Sequence, residues 1–196
     1  MATRKHEQSP QDRIDNLLLD NHMFFLNGDI ETDNIDRCIR WIEYENINNT
    51  KPTVLTLYIN STGGDLYQTF ALIDIMRSSK HPIRTIGLGS IMSGGFLIFV
   101  CGTKGERYIA ANAGIMCHQL SDDITDKYHD IKSAVKEVEN CNSKMIKILR
   151  EATGLSALKI SAKLLPASDV YLTAKELIQL KAADYILGEE NGTATW

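Results

Sequence analysis

Long hydrophobic runs are missing from this chain; the longest, Gly94 to Cys101, is too short to span a bilayer. The opening Met-Ala-Thr-Arg-Lys-His-Glu-Gln-Ser-Pro is too polar for a signal-peptide core, so a cytoplasmic protein with no membrane partner is expected. Basic charge is not in excess. The 21 Lys and Arg stand against 25 Asp and Glu, a net charge of −4, which argues against nucleic acid as a main partner because phosphate binding needs a basic surface. Cysteine is scarce, and Cys38, Cys101, Cys117 and Cys141 show no CxxC or other metal-ligand spacing. They read as free thiols of a reducing compartment, serving as small apolar fillers. No HExxH or HxH pair is present, and Asp122, Asp123 and Asp126 lack the Gly and Glu that a calcium loop needs, so no metal is expected. Nor is there a GxxxxGK[ST] phosphate loop, so no cofactor is expected and the chain should not hydrolyse ATP itself.

What is present is alternation. The 196 residues suffice for one domain with a substantial core. Residues 1–12 read as a flexible polar tail and 13–196 as a single domain. A short helix is expected over Ile14 to Leu19, a strand over His22 to Leu26, and a helix over Asp33 to Tyr44 with Ile35, Cys38, Ile39 and Ile42 on one face. Strand Val54 to Ile59 runs into Asn60-Ser61-Thr62-Gly63-Gly64 and then a helix, Asp65 to Ser78, with Leu66, Phe70, Ile73 and Met76 inward. A second cycle follows: strand Ile83 to Gly89, the turn Ser90-Ile91-Met92-Ser93-Gly94-Gly95, and an apolar helix to Cys101. Arg107 to Ala110 and Gly114 to Cys117 are further strands. A long amphipathic helix then carries Ile131, Val135, Val138, Met145 and Ile148 and is capped by Gly154. Strands alternating with helices, with glycine turns at strand C-termini, predict an α/β fold with its site at those ends.

Ser93 is the residue of greatest interest. It is either the N-cap of the following helix or a hydroxyl held out of a strand-to-helix turn beside backbone amides suited to an oxyanion. A serine nucleophile requires a base within hydrogen-bond reach. Of five histidines, His6, His22, His81 and His129 lie in polar or structural positions. His118 ends a strand, where it is either a bonded strand-end residue or a base emerging into a crevice. The turn Asn60 to Gly64 is likewise either a plain connection or an amide cradle for an oxyanion or a peptide.

Over about residues 13–187 the chain resembles the proteolytic subunits of the Clp protease, the ClpP serine peptidases. The matching blocks are Tyr58-Ile59-Asn60-Ser61-Thr62-Gly63-Gly64, Met92-Ser93-Gly94-Gly95, Met116-Cys117-His118-Gln119, and Asp169 to Glu176, closed by Ala183-Asp184-Tyr185-Ile186. The resemblance implies a ClpP/crotonase-like superhelix of ββα repeat units with an extended handle helix at about 124–152. It implies Ser93 as nucleophile, His118 as base, Asp169 as orienting carboxylate, and the amides of Gly64 and Gly94 as oxyanion donors. Gly63, Leu120 and Ser121 fall where the family binds its substrate. It further implies two stacked heptameric rings, a partner AAA+ unfoldase that hydrolyses the ATP, unfolded polypeptides as substrates, and room for a second ClpP-type subunit in the ring.

Departures from the family pattern are local. Leu120-Ser121-Asp122-Asp123 replaces the usual Pro-Leu-Gly-Gly, an acidic change expected to disfavour acidic peptides. Thr62 replaces a proline, two extra residues including Pro166 precede Asp169, and Lys181 stands where a helix-ending glycine is usual. The N-terminal segment is short and polar where the family has an apolar axial loop. Two rival readings use the same fold: a structural or regulatory ring subunit of little activity, and an acyl-CoA enzyme of the crotonase type. The Ser93, His118 and Asp169 combination disfavours both.

Overall fold

The computed structural model describes residues 9–121 and 127–189. Its elements in chain order are α1 (Pro10–Asp20), β1 (Met23–Asn27), α2 (Thr32–Asn48), β2 (Leu55–Ser61), α3 (Leu66–Ser78), β3 (Ile83–Met92), α4 (Gly94–Val100), β4 (Arg107–Ala110), β5 (Gly114–Cys117), α5 (Tyr128–Thr153), α6 (Ala157–Lys163), β6 (Val170–Leu172), α7 (Ala174–Gln179) and β7 (Tyr185–Leu187). Strands β1, β2, β3, β4 and β7 form one parallel run in that order, and β5 and β6 branch from it. This is the α/β architecture expected, a sheet with helices consistent with the ClpP fold, in which strands and helices alternate singly up to α4 and β4–β5–α5 forms a strand–strand–helix unit.

β3 organises the branching. Its first half pairs with β4 (Thr85↔Arg107 to Gly87↔Ile109), and its second half pairs with β5 (Ser90↔Gly114 to Met92↔Met116). Between the halves the register against β2 slips: Ile59 faces Gly87, yet Ser61 faces Ile91. Gly89 turns through this bulge at φ +55°, and Asn60 fills it, its Oδ1 accepting from Ser90 N at 2.9 Å. The expected turn from Ser90 to Met92 is therefore strand. Glycine and serine there satisfy a bulge whose other half comes from a distant segment.

α4 lies at the centre. All seven of its residues are buried, and Phe96, Leu97 and Phe99 are almost inaccessible. Removing such a side chain from water contributes roughly 1.5–3 kcal/mol, which holds the helix in the core. α3 starts from an Asp65 cap that accepts from Gln68 N at 2.8 Å. Its inward set is Thr69, Leu72, Ile73 and Met76, while Leu66 and Phe70 are half-buried, a rotation of the expected face. In α2, Trp41 is buried and stacks on Phe24 at 5.3 Å, joining Ile35, Cys38 and Ile42 in the core, with Ile39 half-buried against it.

α1 begins at Pro10, earlier than Ile14, because Ser9 and Asp12 form a capping box with proline in the first turn. α5 divides. Cys141, Met145, Ile148 and Leu149 are buried, whereas Ile131 and Val135, on the apolar face of the same amphipathic helix, are 37% and 46% exposed. Gly154 caps α5 at φ +75° as its position predicts. Arg107 and Asp184 tie β4 to the chain entering β7 through two bonds, Nη2 to Oδ1 at 2.7 Å and Nε to Oδ2 at 2.9 Å. Burial acts to raise the Asp184 pKa, but the Arg107 hydrogen bonds and charge and the amides of Gly105 and Arg107 hold it below the usual aspartate value. All four cysteines are free, with Cys38, Cys117 and Cys141 buried. No helix among the described residues is long and apolar enough to cross a membrane. Most of the polar segment 1–12, the start of the expected handle at 124–126, and Asp122, Asp123 and Asp126 lie outside the described residues.

Candidate active site

Ser93 follows the last residue of β3 and precedes the first of α4, at φ +50° and ψ −120°. A left-handed φ is costly for a residue with a Cβ and persists only when its surroundings enforce it. Here they do: Ser93 N donates to Met116 O at 3.0 Å on one side, and the buried α4 holds the other. The serine occupies the N-cap position yet makes no side-chain cap bond. Its Oγ lies instead 2.8 Å from His118 Nε2. The helix-cap alternative is thereby set aside.

The Ser–His proximity follows from strand pairing. The parallel ladder ends at Met92↔Met116; Ser93 is the next residue on one side and His118, after Cys117, the second on the other, so both leave the sheet at the same edge. The third candidate arrives by a second ladder. β6 runs antiparallel to β5 and its last pair is Cys117↔Val170; the next residues along are His118 and Asp169. Facing residues in such a ladder have Cβ atoms about 5 Å apart. Asp169 is nonetheless exposed, and no hydrogen bond joins it to His118 among the described residues. Two of the three residues are thus brought into contact, and the third is set beside them unbonded.

Glycines supply the other wall. Gly63, at φ +105°, packs against the nucleophile so closely that a Cβ there would lie 2.6 Å from Ser93 Cβ and 3.1 Å from Ser93 Oγ. Gly64, at φ +144°, is bridged to Ile30, whose backbone leaves no space for a side chain. The amides of Gly64 and Gly94 donate to no partner among the described residues. Ser93, His118, Gly64, Gly94, Leu120 and Ser121 line one cleft of about 100 Å³, with Leu66, Leu97, Gln119 and Met145 completing it. Gly63 does not line it and meets it through Ser93. Two unpaired amides beside a hydroxyl–imidazole pair form a site that can attack a carbonyl and hold the resulting oxyanion.

Neighbouring chemistry is inert by comparison. Burial pushes the Cys117 thiol, one residue before His118, up to about 12, so it stays protonated. Among the described residues no group of three or more His, Cys, Asp or Glu could hold a metal ion. The sequence reading missed the apolar lining from α3, α4 and α5, Leu66, Leu97 and Met145. It also missed Gln119, whose Nε2 donates to Leu165 O at 2.9 Å and joins β5 to the loop carrying Asp169. Helical periodicity marks the three apolar residues as core; nothing local marks them as cleft.

A strand–serine–helix junction thus meets a strand-end histidine at one edge of the sheet, with glycine amides alongside. The sequence model of the Clp protease family matches residues 5–190, and the chain belongs to that family. It is 28% identical over 177 residues to ATP-dependent Clp protease proteolytic subunit 2 of Treponema denticola, covering 90% of this chain and 86% of that protein. It is 26% identical over 184 residues to proteolytic subunit 1 of Rhodopirellula baltica, covering 94% and 80%. To proteolytic subunit 1 of Leifsonia xyli it is 32% identical over 130 residues, covering 66% and 65%.

Proposed function

We propose that this chain is the peptidase subunit of an ATP-dependent, self-compartmentalised protease, cleaving unfolded polypeptides to short peptides by acyl transfer. The observation that carries the reading is the 2.8 Å contact between Ser93 Oγ and His118 Nε2, beside the amides of Gly64 and Gly94, which have no acceptor among the described residues. For Nε2 to accept the serine proton, the imidazole proton must sit on Nδ1, and Asp169 is the carboxylate assigned to hold it there. Ser93 Oγ then attacks the peptide carbonyl as His118 takes its proton. The tetrahedral oxyanion is held by Gly64 N–H and Gly94 N–H, each such donor being worth roughly 10²- to 10³-fold in rate. His118 returns the proton to the leaving amine, and water repeats the sequence in reverse on the Ser93 ester. Gly63, Leu120 and Ser121 are assigned to the peptide-binding edge.

In this reading the chain acts in seven-membered rings, a closed chamber being formed when two rings stack through α5, whose exposed Ile131 and Val135 suit such burial. ATP is spent by a separate AAA+ unfoldase, in keeping with the ATP-dependent proteolytic subunits that the chain resembles and with the missing phosphate loop. No cofactor is assigned to the chain, and its four free thiols suit a cytoplasmic setting. A second reading, a ring subunit of low activity that assembles with an active one, is favoured by a single observation: Asp169 is exposed and not bonded to His118.

Fluorophosphonate labelling of wild type, Ser93→Ala and Asp169→Ala, beside native mass, separates the two. Labelling lost in Ser93→Ala and slowed roughly 10²- to 10⁴-fold in Asp169→Ala supports the peptidase. A ring whose wild-type subunits stay unlabelled supports the scaffold.

A further inference from the structure

The loop after β2 has two consecutive glycines at φ +105° and +144°, and the second presents the amide assigned to the oxyanion. Such a pair has wide backbone freedom, so its orientation depends on restraint from outside. Backbone bonds supply part of it: Ile30 N donates to Gly63 O at 2.7 Å and Asp65 N to Ile30 O at 3.0 Å. These bonds grip the loop at and beyond the glycines, and on the entering side Gly63 N donates to the buried Ser61 Oγ at 3.1 Å, which leaves the direction of the Thr62 peptide to be set. Entering them, Thr62 has no ring to fix its φ, unlike the proline of the family pattern. What it has is a hydroxyl, and that hydroxyl donates to the Asp29 carboxylate, 33 residues earlier in sequence. Asp29 is itself seated: its backbone oxygen accepts from Asn34 Nδ2 at 2.6 Å, and the Asn34 side chain also accepts from Glu31 N at 3.0 Å in the α2 capping box.

We infer that Asp29 is a positioning residue for the reaction, its carboxylate holding Thr62 so that the Gly64 amide points at the oxyanion. This inference rests on the peptidase reading of the same site. The tether replaces, by a side-chain bond, the restraint a proline ring would give. It touches neither substrate nor the reacting atoms. An oxyanion donor acts on the transition state and not on the bound peptide, so loosening the tether lowers kcat and leaves KM in place. Thr62 and Asp29 are both exposed, so water competes for the bond and the loss is partial, roughly 3- to 10-fold in kcat where complete loss of a donor costs 10²-fold or more.

The test compares Asp29→Ala, Asp29→Asn, Thr62→Val and Thr62→Pro, the last alone and combined with Asp29→Ala, by peptide hydrolysis and fluorophosphonate labelling. Amide exchange at Gly63 and Gly64 is followed in the same variants, and again in the Ser93→Ala background. Asp29→Ala and Thr62→Val are expected to lower kcat equally at constant KM, and not additively, with faster Gly64 exchange and little change in thermal midpoint. Asp29→Asn keeps an acceptor oxygen and retains most of the rate. Thr62→Pro restores the rate to Asp29→Ala, since the Thr62 amide donates to no partner among the described residues and proline there removes no bond. Unchanged Gly64 exchange in Asp29→Ala, or no rescue by Thr62→Pro, overturns the inference while leaving the peptidase reading intact. A wild type without Ser93-dependent labelling overturns the peptidase reading instead, and exchange in the Ser93→Ala background still decides the tether.

Discussion

Gly63→Ala is the substitution that tests the geometry of the site most directly. The added Cβ would lie 2.6 Å from Ser93 Cβ, and ordinary contact begins near 3.4 Å, so the serine or the loop must move by about 0.8 Å. A displacement of about 1 Å in a reacting group can cost on the order of 10² in rate. Backbone strain adds a second effect, because an L-residue at φ +105° costs roughly 1–3 kcal/mol of stability. The two are separable with Gly188→Ala as control: Gly188 has φ +89° and nothing within 4 Å of its would-be Cβ. Both variants should lose thermal stability, and Gly63→Ala alone should lose about 10²-fold in kcat/KM and in the rate of Ser93 phosphonylation. The assay is single-turnover fluorophosphonate labelling at a temperature where both variants are folded by circular dichroism. Labelling of Gly63→Ala at the wild-type rate would refute the packing argument.

Other expectations concern the frame around the site. Asp184→Asn breaks a largely buried ion pair and should cost about 3–5 kcal/mol in urea unfolding. Because the folded pKa of Asp184 is depressed, its stabilisation is full above the unfolded aspartate value of about 4 and is lost as pH falls through the lower folded value. The gap between wild type and variant should therefore close in acid; a gap that widens there would contradict the assignment. Cys117, with its thiol pushed up to about 12 and its side chain buried, should resist iodoacetamide at pH 8 in the native protein and react once unfolded, as read by peptide mass. Lys181 sits at φ +57°, so Lys181→Gly should raise stability by about 0.5–1 kcal/mol, seen as a higher thermal midpoint; a lower midpoint would show that the lysine side chain contributes more than the strain costs.

Elements whose cause is local were readable from sequence. β4 and β5 run over the residues that their apolar content marks, and Gly154 caps α5 because only the glycine there takes the left-handed turn cheaply. Features whose cause is distant were not. β3 looked finished at Gly89 because Gly and Ser read as a turn, whereas Asn60 of β2 completes the bulge from across the sheet. The exposed half of α5 has the same periodicity as the buried half, and only tertiary packing distinguishes them. At the site, Ser93 and His118 stood out by motif, and their contact follows from a three-pair ladder that no single strand announces. The Asp29–Thr62 bond joins residues far apart in the chain, and nothing around Asp29 beyond an Asn-Gly-Asp turn hints at it.

The split pairing of β3 also bears on how the chain tolerates change in length. Ser93 and His118 are held together by three rungs between Ser90–Met92 and Gly114–Met116, while the intervening chain leaves to form α4 and β4 and then returns. Their separation along the sequence is therefore not a constant of the chemistry. The Gly102–Glu106 connection lies outside those rungs, with Thr103, Lys104 and Gly105 exposed, and a peptide tag or reporter inserted at Lys104 could be carried without parting the two side chains. An insertion of a single residue between Met92 and Ser93 would instead swing the hydroxyl off the sheet edge.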